Sequence, residues 1–223
     1  FFPLKSSEMK RKFPQIRESL PTLKEFSDEQ IMRIMNSMGD DYYWEYDRSS
    51  ELGTEGILIL AHGVNDSGDQ ILFNEIAPLA KSYTTSIAFG MSMMTSKHIS
   101  CALTRMRENN AETIHVIPLT ESPYNTLIRQ WRYAFGLESK YTYSDIELID
   151  SAAVNFLEPI NDHRYAREIV YEHAMEISED PQEETVIIVA HGPIDTEDNA
   201  KQLRIMQTIA DHLKRKGNFY NVI

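Results

Sequence analysis

Ile57-Leu58-Ile59-Leu60-Ala61-His62-Gly63-Val64-Asn65-Asp66-Ser67-Gly68-Asp69 decides the fold. The chain repeats it 129 residues later as Val186-Ile187-Ile188-Val189-Ala190-His191-Gly192-Pro193-Ile194-Asp195-Thr196-Glu197-Asp198. The shared pattern is four apolar residues, Ala-His-Gly, two residues, Asp, a hydroxyl residue, one more residue and Asp. Self-similarity of this kind marks a duplicated structural unit. A run of aliphatic residues without polar alternation predicts a strand buried on both faces, as in a parallel sheet. Gly63 and Gly192 end the strands. Asp66 and Asp195 stand where helix N-caps are wanted, and a helical pattern follows each. Each copy therefore reads as strand, histidine-bearing turn and helix start. Ligands of open α/β sheets bind beyond the carboxyl ends of the strands, so both histidines are expected at that edge of a central sheet.

Working outward, strand and helix alternate. A helix is predicted over about 68–81, with Ile71, Leu72, Ile76 and Leu79 on one face and Pro78 kinking or shortening it. The second strand is Ser86 to Phe89, ended by Gly90. Thr95 and Ser96 cap a helix that runs to about Asn110. The third strand is Thr113 to Leu119, and a helix through Trp131 closes at Gly136. A fourth strand is expected within 146–154 and a helix over about 162–178. The second Ala-His-Gly copy is the fifth strand. A last helix over about 196–216 turns Leu203, Met206, Ile209, Ala210 and Leu213 inward. Asn218 to Ile223 reads as the start of a strand parallel to Val186–Val189. This alternation gives an α/β class with a mostly parallel sheet flanked by helices.

Residues 1–52 differ: they are polar, mixed in charge, and read as an N-terminal helical arm or lid. Ser27 and Gln30 form a capping box before Ile31, Ile34 and Met35, with Gly39 as the stop. The aromatics of Tyr42-Tyr43-Trp44-Glu45-Tyr46 are expected to pack over the sheet.

Composition narrows the partners. A net charge of −12 over 223 residues argues against a nucleic-acid backbone or an anionic membrane surface. No apolar run is long enough to span a membrane. Cys101 is the only cysteine, which excludes an intramolecular disulfide and a cysteine metal cluster. The chain begins at Phe1, so a tail, tag or cleaved signal is expected upstream.

His62 and His191 are the leading chemical candidates, because neutral imidazole is both the commonest metal ligand and a base near neutral pH. The plainer alternative is that each orders its own turn. His163 opens a helix, His98 and His173 are read as solvated helix positions, His115 lies in a strand and His212 on the last helix. Glu121, Asp66 and Glu158 are carboxylates expected near the same edge. Met91, Met93 and Met94 either line an apolar pocket or simply pack. There is no Gly-x-Ser-x-Gly elbow, P-loop, Gly-x-Gly-x-x-Gly or His-Glu-x-x-His. A hydrolase would need an unrecognised nucleophile.

These residues resemble the class II tetrapyrrole chelatases, the group of the sirohydrochlorin cobalt- and ferrochelatases. The resemblance rests on both Ala-His-Gly strands, on Ile87-Ala88-Phe89-Gly90, on His115-Val116-Ile117-Pro118-Leu119 and on Asn161-Asp162-His163 before the second copy. It covers about residues 55–223. It implies a chelatase-like, flavodoxin-like sheet in two similar lobes, the first over 53–184 and the second begun but incomplete over 185–223. It further implies a cleft for a tetrapyrrole and insertion of a divalent metal, cobalt, iron or nickel, as substrate in cobalamin or siroheme biosynthesis. No organic cofactor is expected. A homodimer is left open. A cytoplasmic location is implied, with an exported form left open. His62 matches the family's metal-binding histidine, and His191 its counterpart in the second lobe. The family's second histidine falls just after the Pro-Leu strand, where this chain reads Thr120-Glu121-Ser122-Pro123-Tyr124-Asn125. Glu121 stands there as a substitute oxygen ligand. The expected catalytic set is His62, Glu121 and His191, with metal on His62 and His191 and the macrocycle against Gly63, Met91, Met93 and Tyr124. The alternative is a chelatase-like module that binds metal or tetrapyrrole without catalysis.

Overall fold

The aliphatic run forms the middle of a five-stranded sheet in the computed structural model, which describes residues 6–37, 39–47, 53–64 and 67–223. The elements follow the predicted alternation: α1 Ser6–Ser19, α2 Asp28–Ser37, β1 Tyr42–Glu45, β2 Glu55–Ala61, α3 Ser67–Ile76, β3 Thr84–Phe89, α4 Lys97–Glu108, β4 Thr113–Pro118, α5 Thr126–Ala134, β5 Val154–Phe156, α6 Arg164–Ile177, β6 Thr185–Val186, α7 Thr196–Gly217 and β7 Asn221–Val222. Two compact units divide them. Unit 1 is Phe1–Leu119 with Thr126–Leu157, and unit 2 is Thr120–Asn125 with Glu158–Ile223. The division falls after Leu157 rather than before Thr185, because α6 packs on α7 through Ala174 and Leu213 beneath Phe219.

In unit 1 the strand order is β1-β3-β2-β4-β5. β3, β2, β4 and β5 are parallel, and β1 joins the outer edge of β3 antiparallel, Tyr42 opposite Phe89. The parallel strands thus run second-first-third-fourth in chain order, consistent with a flavodoxin-like arrangement. Side chains on β2 alternate between two cores, as the period of a strand dictates. Leu58 and Leu60 meet Ile99, Leu103 and Met106 of α4 and Leu127 and Trp131 of α5. Ile57 and Ile59 share the opposite face with Ile87 and Phe89, half-buried Leu72 and Phe73 of α3, and the rings of β1. Helix α3 stops at Ile76 and tightens into a 3₁₀ turn over Ala77–Lys81, the effect expected of Pro78. Ile71, expected inward, is 61% exposed.

The stretch before β1 carries the two helices α1 and α2. Ser27 and Gln30 form the capping box reciprocally, Gln30 N–H to Ser27 Oγ at 3.2 Å and Ser27 N–H to Gln30 Oε1 at 2.8 Å. Phe13, Ile16 and Leu20, with Ile31, bury against Met93, Met94 and Tyr143. The arm therefore covers the loop that follows β3.

Two strand expectations are corrected. The segment 146–153 is not a strand: Ile146 and Ile149 are buried, but their backbone turns to the helices instead of to a ladder. Ile149 N–H donates to Ala134 C=O at 2.7 Å, and the Arg107 guanidinium donates to the carbonyls of Asp150 and Ala152, both at 2.9 Å. Ala153 at φ +55° then turns the chain into β5. The second correction is that β6 is not a strand of the five-stranded sheet and is not buried on both faces. It pairs with β7 alone, in unit 2, and leaves Ile187 67% and Val189 87% exposed.

Unit 2 nevertheless repeats the pairing of unit 1. β7 is parallel to β6, as expected, with Thr185 opposite Asn221. In β2 and β3, Gly56, the counterpart of Thr185, lies opposite Thr84. Val186 and Ile188, the counterparts of Ile57 and Ile59, pack with α6 and α7. Among the described residues, no helix is long and apolar enough to cross a membrane.

Candidate functional site

In a doubly wound sheet the crevice opens where connections leave neighbouring strands in opposite directions. Here that point lies between β2 and β4. β2 delivers Ala61-His62-Gly63-Val64 to it and β4 delivers Pro118-Leu119, with Leu119 N–H donating to Leu60 C=O at 2.8 Å. His62 and Val64 are exposed at this edge. Gly63 has φ +82°, a conformation that favours glycine and lets the chain turn sharply off the strand.

The turn is held by three groups. The His62 ring donates from Nδ1 to Gly63 C=O at 2.6 Å. A carbonyl only accepts, so in the neutral ring the proton lies on Nδ1 and Nε2 keeps its lone pair. Val64 N–H donates to Asp69 Oδ1 at 2.7 Å, and Tyr42 on β1 donates its hydroxyl to Asp69 Oδ2. Asp69 is 2% exposed. Gly90 N–H is shared between the carbonyls of Ala61 and His62 at 3.0 and 3.1 Å, which ties the turn to the end of β3.

Next to Gly90 lies Asp41, half-buried at the start of β1. Loss of water around its carboxyl pushes its pKa up to about 7, against the lowering effect of the Ser92 N–H it accepts and with a further rise from Asp40. A carboxyl with that value exchanges protons near neutrality, and sequence reading assigned it no role.

The candidate residues divide between the units. His62, Gly63, Met91 and Met93 belong to unit 1. Met93 is 5% exposed and packs under the arm, so in this structure it does not line an open pocket; Met91 is half-buried at the border of the same cluster. Glu121, Tyr124 and His191 belong to unit 2. Glu121 is exposed and accepts the Asn125 amide at 3.3 Å. The Lys201 ammonium stands 5.5 Å from the Tyr124 ring centre. His191 is exposed in the turn after β6. Asp66 lies outside the described residues, and its counterpart Asp195 caps α7 as expected, accepting Asp198 N–H at 2.9 Å.

Two residues were missed or misread. Asp69 belongs to the repeated pattern but carries no expected role of its own; the repetition of Asp at 69 and 198 is the available signal. His98, read as solvated, is fully buried, and neither ring nitrogen has a partner among the described residues. Burial holds its pKa down at about 3, so it stays neutral. Among the described residues, no three His, Cys, Asp or Glu side chains converge into a metal cage. Comparison with protein-family models, with curated proteins and with solved structures finds no match to the chain.

Proposed function

We propose that the chain is a sirohydrochlorin-chelatase-like protein that inserts a divalent metal, cobalt or iron, into a tetrapyrrole, with His62 as ligand to the incoming metal. The observation that carries this reading is the state of the His62 ring: exposed at the carboxyl edge beside the crevice position, with Nδ1 engaged and Nε2 left as a lone-pair donor. A metal that must pass on to a macrocycle needs open coordination positions, and a single imidazole supplies a ligand without closing them. The pyrrole N–H protons need an acceptor as well. The equivalent register of Gly56 with Thr84 and Thr185 with Asn221 supports two similar lobes, the second represented by unit 2.

One observation favours a second reading, a chelatase-like module that binds metal or tetrapyrrole without inserting it. The stretch Thr120–Asn125 holds no histidine, and its Glu121 already accepts an amide.

The test is an absorbance assay of metal insertion. Sirohydrochlorin is mixed with Co²⁺ or Fe²⁺ and the wild-type chain, then with His62→Ala, Glu121→Gln and His191→Ala. Insertion above the uncatalysed rate, abolished in a well-folded His62→Ala, is the expected result. Calorimetric metal or macrocycle binding without insertion would establish the second reading. Full insertion by His62→Ala would remove His62 from the site.

A further inference from the structure

The peptide group between Gly63 and Val64 is bonded at both ends. Its N–H goes to Asp69 Oδ1 at 2.7 Å, and its C=O takes His62 Nδ1–H at 2.6 Å. A peptide unit is planar and nearly rigid, so fixing the direction of the N–H fixes that of the carbonyl on the opposite side. A carboxylate accepting the N–H also polarises the group and makes its oxygen a better acceptor. Asp69 is itself fixed: it is 2% exposed, its second oxygen takes the Tyr42 hydroxyl, and a Cβ on Gly63 would sit 3.5 Å from that oxygen. Tyr42 in turn lies on β1 and stacks on Phe89 with ring centres 4.8 Å apart.

The second copy of the motif lacks this relay for a chemical reason. The counterpart of Val64 is Pro193, which has no N–H to give. The counterpart of Asp69 is Asp198, whose carboxylate instead takes the Lys201 ammonium at 3.2 Å. Two turns of the same sequence pattern are thus wired differently.

We infer that Asp69, seated by Tyr42, is the positioning residue of the His62 site. Through the 63–64 peptide it holds the imidazole in the Nδ1–H form with Nε2 available to a metal, and His191 has no such support. This rests on His62 being a metal ligand. Groups that orient a ligating histidine in this way typically contribute about 10- to 100-fold to metal affinity.

The experiment has two readouts on the intact chain. Imidazole ¹⁵N shifts of His62 at a pH where the ring is neutral report the tautomer, and calorimetric titration with Co²⁺ reports affinity. The variants are Asp69→Ala, Asp69→Asn and Tyr42→Phe, with Asp198→Ala as the matched control. Asp69→Ala is expected to give mixed tautomers and Co²⁺ binding weaker by about 10- to 100-fold. Asp69→Asn, whose Oδ1 still accepts the Val64 N–H, is expected to keep the Nδ1–H form, and Asp198→Ala to change neither readout. If Asp69→Ala does not fold, Tyr42→Phe carries the comparison: a partial loss of the Nδ1–H form and of Co²⁺ affinity supports the assignment, and an unchanged tautomer and affinity overturns it. A wild-type tautomer in folded Asp69→Ala overturns it directly. If wild-type His62 binds no Co²⁺, the chelatase reading fails, while the ¹⁵N shifts still decide whether Asp69 sets the ring.

Discussion

The Asp41 carboxyl lies in the space that a side chain on Gly90 would occupy, against the backbone at the end of β3. Gly90 has φ +119°, so the position is suited to glycine by both conformation and space. The close fit is also what strips water from Asp41 and raises its pKa to about 7 from 3.8.

This makes stability depend on pH in a stated direction. Between about pH 4 and 7 the folded chain holds a proton on Asp41 that the unfolded chain has lost. Folding is therefore favoured at low pH by this group, and that advantage is lost as pH rises through 7. Asp41→Asn keeps an acceptor for the Ser92 N–H and removes the charge. It is expected to stabilise the chain at pH 8 by roughly 2–4 kcal/mol and to change little at pH 4. Urea unfolding at both pH values measures it; equal gains at the two would refute the assignment.

His98 works in the opposite sense. Its folded pKa of about 3 lies below the ordinary 6.5, so between these values the unfolded chain takes a proton that the folded chain refuses. Stability from this group is complete above pH 6.5 and lost as pH falls toward 3. From about pH 4 to 6.5 the slopes of His98 and Asp41 have opposite signs and cancel. His98→Leu removes two buried nitrogens that have no partner among the described residues, at similar volume. It is expected to raise stability at pH 7 by about 1–3 kcal/mol and to expose the Asp41 slope below pH 6.5. A destabilised His98→Leu at pH 7 would show that the ring nitrogens have partners in solution.

The features legible in the sequence were those written in a repeating physical signal. Ile57 to Leu60 reads as a central parallel strand because both of its faces are apolar, and the structure buries both. Ser27 and Gln30 read as a cap because two reciprocal bonds need those side chains three residues apart. β1 was legible only as aromatic packing: Trp44 and Tyr42 do pack on Phe89, but the antiparallel pairing that carries them there leaves no periodic trace in four residues. Ile146 and Ile149 misled because burial without a ladder has the same composition as a strand. Val186 to Val189 misled because two near-identical strings met different surroundings, the middle of a five-stranded sheet for β2 and a two-stranded pair for β6. The turn at His62 was legible to the residue. Its wiring was not, because it runs through a peptide group whose orientation depends on Asp69 and Tyr42, the latter 20 residues away on another strand.

The loop after β3 offers the last prediction. Gln130 on α5 is fully buried, and its amide is satisfied at both ends. Nε2 donates to Ser92 C=O at 3.2 Å and to Ser144 C=O at 3.0 Å, while Oε1 accepts the N–H groups of Thr142 and Tyr143 at 3.0 and 2.9 Å. One side chain therefore pairs four backbone groups from two loops that have no sheet to pair with. The Ser144 hydroxyl, donating to Met93 C=O, closes the same junction. Leu fills the volume of Gln but offers no bond, so Gln130→Leu strands two donors and two acceptors in the interior. The expected loss is about 3–5 kcal/mol, which is less than the sum of four single costs because the loops will shift toward water. Gln130→Glu keeps the acceptor for Thr142 and Tyr143 but faces two carbonyls without a donor. It should be as damaging at pH 8 and partly recovered at low pH, where the protonated carboxyl donates once. Thermal melts at the two pH values decide it. Because Met93 sits between this junction and the arm, the same variants should also make the Phe13–Ile16 segment of α1 more accessible to amide exchange, whereas a Gln130→Leu protein with wild-type melting and exchange would show that the two loops are held by apolar packing alone.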